Sequence, residues 1–242
     1  MAMRAAAADK LEFRKDDRIC IIGNTLADRM QHSGWLESLI YTKFPKDNLV
    51  FRNLGFSGDE LTVRLRSEGF GSPDEWLKKE QADVIFAFFG YDESFKGQDG
   101  LAGFRKDLEK FITDTRGENY SGKGAPRLVL FSPVAAEKHS DPNFPNPAPI
   151  NANLKLYTDA MAEVAKAAGV PFVDLFTTSQ RVYAQTKQPL TINSVHLTDE
   201  GYRALAPAMF QALFGAAAPS ATERGSFEEL RSAVNEKNAV WF

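Results

Sequence analysis

The 242-residue chain is almost without cysteine: Cys20 is the only one, which excludes a disulfide framework and a thiolate metal site. Set inside the apolar stretch "RICIIG", it reads as a small buried core residue. No run of Lys and Arg is present to follow a phosphate backbone, and 29 basic against 32 acidic side chains give a formal charge of −3. That balance speaks against nucleic acid as a partner. No apolar run reaches the ~18 residues a membrane span requires. Histidine is scarce as well, with three in the chain.

What is present is a core. A hydrophobic content of 43%, with 12% aromatic residues, is ample for one large domain with extensions. The expected organisation is an N-terminal extension over 1–15, a main domain over 16–216, and a linker with a C-terminal helix over 217–242 that leads to further domains if the chain is part of a longer polypeptide. The start, "MAMRAAAAD", is like the region after a signal-peptide cleavage site, which leans the location toward secreted or periplasmic. No apolar h-region precedes it, so an ordinary disordered start accounts for it equally.

Five segments have the length and the β-branched or aromatic character of buried strands: 18–23, 48–55, 83–90, 126–133 and 171–176. Helical patterns lie between and after them at 26–44, 100–117, 151–169, 199–215 and 227–242, the third closing on Gly169 as a C-cap would. Alternating elements of this kind predict a parallel sheet covered on both faces, a three-layer α/β/α sandwich. Ligands in such folds bind beyond the carboxyl ends of the strands, which selects the loops starting at Gly23, Gly55, Gly90 and Pro133. The proline-rich stretch 139–151, with His139, reads as one rim of that pocket. His32 reads as a structural residue within a helix.

Four stretches at these strand ends carry chemistry in order: "IIGNTLADR", "NLGFSGDEL", "FFGYDESF" and "INSVHLTDEGY". Their order and spacing resemble the SGNH hydrolases, the GDSL-type esterases and lipases, over residues 18 to 215. The resemblance implies a five-stranded parallel sheet of flavodoxin-like type and an ester hydrolase that needs no cofactor and no metal. It also assigns positions. The nucleophile falls on Thr25, the oxyanion donors on Gly58 and Asp92, and the terminal dyad on Asn193 and His196, with Asn24, Phe56, Tyr91 and Glu93 lining the pocket. Phe95 adds an aromatic side chain to the mouth. The implied substrate is a small acyl ester, such as an acetyl ester of a carbohydrate. The alternative is a module that keeps the pocket, has lost its chemistry, and holds a glycan or a neighbouring domain.

Three of the five key positions, Thr25, Asp92 and Asn193, depart from the family's Ser, Asn and Asp. Threonine keeps the hydroxyl but adds a methyl that stiffens χ1 and crowds the line of attack. Asn193 can hold an imidazole, but it can favour the wrong tautomer and cannot stabilise imidazolium, a change that costs about 10⁴ in serine proteases. Asp92 places a carboxyl where negative charge develops. Only its protonated form donates, which requires a pKa raised by desolvation or by nearby carboxylates. His196 must meanwhile be neutral to act as a base.

Simpler readings stand beside these. Thr25 fits a capping turn, Gly58 a tight turn before a helix over "ELTVRLRS", and Asp92 and Glu93 a cap or a solvated surface. Asp28, Asp59, Asp92 and Glu93 all follow strand ends, so a shared mouth for a hard cation such as Ca²⁺ or Mg²⁺ is a further reading, set against ordinary scattered surface acids.

Overall fold

The computed structural model describes residues 10–219 and 226–241. Five parallel strands form one sheet in the order β2-β1-β3-β4-β5. They are β1 (Arg18–Gly23), β2 (Val50–Asn53), β3 (Val84–Phe88), β4 (Arg127–Phe131) and β5 (Phe172–Val173). Among the described residues the helices are α1 (Thr25–Met30), α2 (Trp35–Lys43), α3 (Pro73–Lys79), α4 (Gly97–Gly117), α5 (Ala148–Ala168), α6 (Leu175–Gln185), α7 (Asp199–Phe214) and α8 (Phe227–Trp241). The order is the flavodoxin-like one, and the architecture is the expected α/β/α sandwich.

Alternation along β1 builds both cores at once. Ile19 and Ile21 pack with Phe86, Phe88 and Phe131 against α1, α2 and α7. Cys20 and Ile22 point the other way, into Ile85, Ala87 and Leu130 with α3, α4 and α5. A strand covered on both faces has no polar side, which is why Val84–Phe88 is apolar and buried throughout. Burial also pushes the Cys20 thiol pKa well above its usual range, so it stays an inert core group.

Several elements differ from the sequence expectation, each for a local reason. The helix expected over 26–44 is two helices, because Gly34 takes a left-handed φ of 64° between them. His32 therefore lies in a turn and not within a helix. The stretch after Gly58 is an irregular loop with a single 3-10 turn at Leu65–Ser67. There Arg64 is drawn inward to the buried Asp59 at 3.3 Å and over the Phe89 ring, which holds the loop off a helical path. Helix α3 starts at an unforeseen capping box, Ser72 with Glu75. The last strand is only two residues long, since Asp174 accepts the Thr177 N–H at 2.8 Å and starts α6.

Helix α8 lies back on α2 and on the edge strand β2. Phe227 stacks on Trp35, Lys237 pairs with the buried Glu37, and Asn238 donates to the Gln31 carbonyl at 3.2 Å. Its last turn places the Trp241 ring 4.5 Å from the Arg52 guanidinium, covering an edge that would otherwise offer unpaired backbone groups. Residues 1–9, where the alanine-rich start falls, residues 220–225 of the linker stretch, and Phe242 lie outside the described residues. No helix among the described residues is long and apolar enough to cross a membrane.

The junction that positions the first loop is Gly23. Its φ is 125°, and a Cβ there would lie 2.0 Å from the Phe88 carbonyl oxygen. The substitution Gly23→Ala combines backbone strain with a collision against a buried strand. It is expected to lower stability by upwards of about 2 kcal/mol in urea denaturation, with no change in m-value.

Candidate active site

Turning out of β1 at Gly23, the chain enters α1. Asn24 is buried, its N–H donates to the Phe88 carbonyl at 3.1 Å, and its Oδ1 accepts the Leu26 N–H at 3.1 Å. Asn24 is thus the N-cap. Thr25 is relieved of that duty, and its half-buried side chain lines a small cleft of about 30 Å³ with Tyr91, Pro133, His196 and Tyr202.

The His196 loop leaves a single acceptor no freedom. Asn193 Oδ1 accepts the His196 backbone N–H at 3.0 Å and lies 2.9 Å from His196 Nδ1. Because the backbone N–H is an obligate donor, the amide must present its oxygen and not its NH₂ at this point. Nδ1 must then carry a proton, which leaves Nε2 as the free acceptor. This is the tautomer a general base requires, so Asn193 does not impose the wrong one. Burial first, and then the Arg29 guanidinium, hold the His196 pKa below its usual value, so the ring stays neutral over a wider pH range. Among the described residues no hydrogen bond joins the Thr25 hydroxyl to the His196 ring. Such contacts are often loose before substrate binds.

Gly58 takes a φ of 87° in the loop after β2. That loop is tied to the first by the Phe56 N–H on the Gly23 carbonyl at 2.9 Å and by the Ser57 hydroxyl on Asp28 at 2.5 Å. Asp92 opens a 3-10 turn directly after Tyr91. Its Oδ2 is buried with no partner among the described residues, and desolvation first, then the nearby Glu60, raise its pKa.

Not every expected pocket residue is there. Asn24, Thr25, Tyr91 and His196 share the cleft, while Gly58 and Asp92 stand on the neighbouring loops and are not among its lining residues. Phe56 lines a different cavity. Glu93 is neither solvated nor in the pocket. It is buried, and it accepts the N–H groups of Leu61 at 3.0 Å and Gly90 at 2.9 Å, bracing two loops against each other. Phe95 is exposed, with its ring against Tyr91.

The four acids do not converge on a cation. Asp59 pairs with Arg64, Asp28 accepts from Gln31 and Ser57, and Glu93 is committed to backbone donors. Among the described residues no three His, Cys, Asp or Glu side chains are grouped to hold a metal.

The sequence reading missed Glu137. This buried carboxylate accepts the Leu190 N–H at 3.0 Å, the Thr191 N–H at 2.8 Å and the Thr191 hydroxyl at 2.6 Å, while its own N–H donates to the Ser194 carbonyl at 2.7 Å. His139 belongs to the same cluster and not to the rim: its Nε2 lies 2.9 Å from the Thr191 Oγ1, and its ring stacks on Phe144. Since the Thr191 proton goes to Glu137, His139 is the donor in that contact. The only signal in the sequence was a lone acid inside "SPVAAEKHS", after a strand end.

A family model for GDSL-like lipases and acylhydrolases matches residues 24–204. The chain belongs to the GDSL-like lipase/acylhydrolase family. A search of curated proteins finds no match. Among solved structures, a catalytic mutant of Axe2, an acetylxylan esterase from Geobacillus stearothermophilus, superposes with a TM-score of 0.66 at 16% identity, over 87% of this chain and 100% of that one. The α/β hydrolase LAE5 from the Lake Arreo metagenome gives 0.62 at 19% identity, over 83% and 96%. The acetyl xylan esterase AlAXEase gives 0.61 at 18%, over 81% and 100%. At these identities the likeness establishes a shared fold.

Glu137→Ala would strand three donors in the loop that carries Asn193 and His196. The expected loss is about 3 kcal/mol of stability, with faster hydrogen exchange at residues 190–198 than in α4. Unchanged exchange in that loop would remove Glu137 from its support.

Proposed function

We propose that the chain hydrolyses small acyl esters, acetyl esters of carbohydrates among them, through Thr25. In this reading the Thr25 hydroxyl attacks the acyl carbonyl and gives its proton to His196 Nε2. The Gly58 N–H and the O–H of protonated Asp92 receive the oxyanion. The imidazolium returns the proton to the leaving alcohol, and water then releases the acyl group from Thr25 by the same steps in reverse. The observation that carries the reading is the double acceptance by Asn193 Oδ1, which leaves Nε2 as the acceptor on a His196 ring that lines the same cleft as Thr25. The small cleft favours a short acyl group. The carbohydrate part rests on the acetylxylan esterases among the structural neighbours.

A second reading, an inactive module that binds a glycan or a neighbouring domain, draws on Arg29. A guanidinium that lowers the His196 pKa also opposes the imidazolium the mechanism must form. Hydrolysis of p-nitrophenyl acetate separates the two. Loss of at least about 10²-fold in kcat for both His196→Ala and Thr25→Ala supports the esterase. Rates indistinguishable from the native chain in both variants would leave the module.

The pH profile tests Asp92. His196 acts when neutral, above a pKa lowered from the ordinary 6.5. Asp92 donates when protonated, below a pKa raised from the ordinary 3.8. The two shifts move the two pKa values toward each other, and kcat/KM is expected to follow a bell that rises as His196 becomes neutral and falls on the alkaline side as Asp92 ionises. Asp92→Asn provides a donor that does not titrate, so the alkaline limb should become a plateau and the rate above neutrality should rise about 10²-fold. A lower rate at every pH would mean that the carboxylate does other work.

A further inference from the structure

One cation beside the cleft is left without a partner. Thr25 and Leu26 of α1 both line the cleft, and Arg29 stands one helical turn further on, which places it on the same face of that helix. The Tyr202 hydroxyl donates to the Leu26 carbonyl at 3.0 Å and ties α7, which the His196 loop leads into, to that part of α1. Among the described residues the half-buried Arg29 side chain has no ion pair, no hydrogen bond and no ring against it, and its Nε is buried without an acceptor.

The carboxylates of the flanking turns are spent elsewhere. Asp28 is turned to its own helix end and to the Gly58 loop, where it accepts from Gln31 at 2.9 Å and from Ser57 at 2.5 Å. In the first turn of α7, Asp199 accepts the Trp35 Nε1–H at 3.0 Å and lies 3.9 Å from Arg231, and Glu200 pairs with Arg203 at 3.0 Å. On the loops of Gly58 and Asp92, Glu60 pairs with Lys96 at 3.2 Å. A guanidinium partly withdrawn from water with no anion beside it is an incomplete interaction. It also acts on the chemistry, because the Arg29 charge lowers the His196 pKa and Asn193 carries no charge to offset it.

We propose that Arg29 binds a carboxylate on the alcohol part of the ester, so that the preferred substrate is a short acyl ester of a hydroxy acid. This deepens the esterase reading and rests on it. One guanidinium, planar and able to give two parallel N–H bonds, matches a planar monoanion. The carboxylate belongs to the alcohol part because Arg29 flanks His196, the group that protonates the leaving oxygen, while the small cleft takes the acyl group. Such a substrate carries in the charge that Asn193 lacks. With Arg29 neutralised, Nε2 takes the Thr25 proton more readily, and it returns that proton to the alkoxide as the ester C–O bond breaks. A neutral ester leaves Arg29 opposing both transfers.

The probes are 2-acetoxypropanoate and its uncharged amide, 2-acetoxypropanamide, followed by acetate release, with the uncleavable ether 2-methoxypropanoate for calorimetry. The native chain is expected to show a kcat/KM at least about tenfold higher for the anion. Arg29→Gln should erase that preference by slowing the anion and quickening the amide, and Arg29→Lys should restore part of it, with thermal melts confirming that both variants fold. Equal kcat/KM for the two esters in the native chain, or a preference untouched in folded Arg29→Gln, overturns the proposal and leaves the esterase standing. If neither ester is cleaved, the esterase reading fails and the ether decides on Arg29. Saturable binding that is lost in Arg29→Gln then supports the carboxylate site, and no binding, or binding unchanged in Arg29→Gln, overturns it.

Discussion

The three loops around the candidate active site depend on one close approach of backbone, at Gly23. With no Cβ, that residue lets β1 lie against the Phe88 carbonyl, and both of its neighbours in the sheet are fixed from there. The Asn24 N–H reaches across to Phe88 at the end of β3, and the Gly23 carbonyl accepts from Phe56 beyond β2. The Thr25 turn, the Gly58 loop and the Tyr91–Asp92 turn are therefore indexed to one another by main-chain hydrogen bonds. Side-chain chemistry can change at Thr25 or Asp92 without moving the frame, because the frame does not use those side chains.

What main chain cannot do alone, buried carboxylates do. Glu93 gathers N–H groups from Gly90 and Leu61, and Glu137 gathers them from Leu190 and Thr191. Burying a carboxylate is expensive, and several converging N–H donors help to offset it. Each carboxylate exchanges flexibility of a loop for a fixed polar node. Burial still raises the Glu93 pKa above the usual carboxylate range. Its contribution is therefore set by how well its donors, and not its charge, are satisfied.

The fold was legible in the sequence because strands buried on both faces leave continuous apolar runs, and helices such as α4 leave a buried stripe at Phe104, Leu108 and Ile112. Gly34 was visible but ambiguous, since a single glycine is as compatible with a tolerated helix position as with the left-handed link it makes. The short β5 was overextended because Leu175 and Phe176 are apolar in either conformation, and only the Asp174 cap distinguishes them. Of the positions expected in the site from ordered motifs, Thr25 and His196 share a cleft. Glu137 was not found, because a carboxylate that holds a loop 53 residues away has no local pattern. Phe56 lines another cavity and not the cleft for a related reason. A loop with two faces serves two clefts, and sequence does not say which face a ring takes.

The two altered polar positions form an exchange. The family pattern has an amide at the oxyanion loop and a carboxylate beside the imidazole; in the proposed assignment Asp92 and Asn193 hold those places in reverse. The number of ionisable groups is conserved, but the negative charge has moved from the base to the acceptor side. One proton on Asp92 undoes most of the damage there, because a carboxylic acid donates as an amide does, and its buried Oδ2 and the Glu60 charge both favour that proton. At the other end, Asn193 preserves orientation and tautomer but not charge, and Arg29 adds a repulsive contribution to the imidazolium. On the proposed reading the electrostatic demand falls on a single proton, so the protonation state of Asp92 would decide whether an ester finds a donor or an opposing charge.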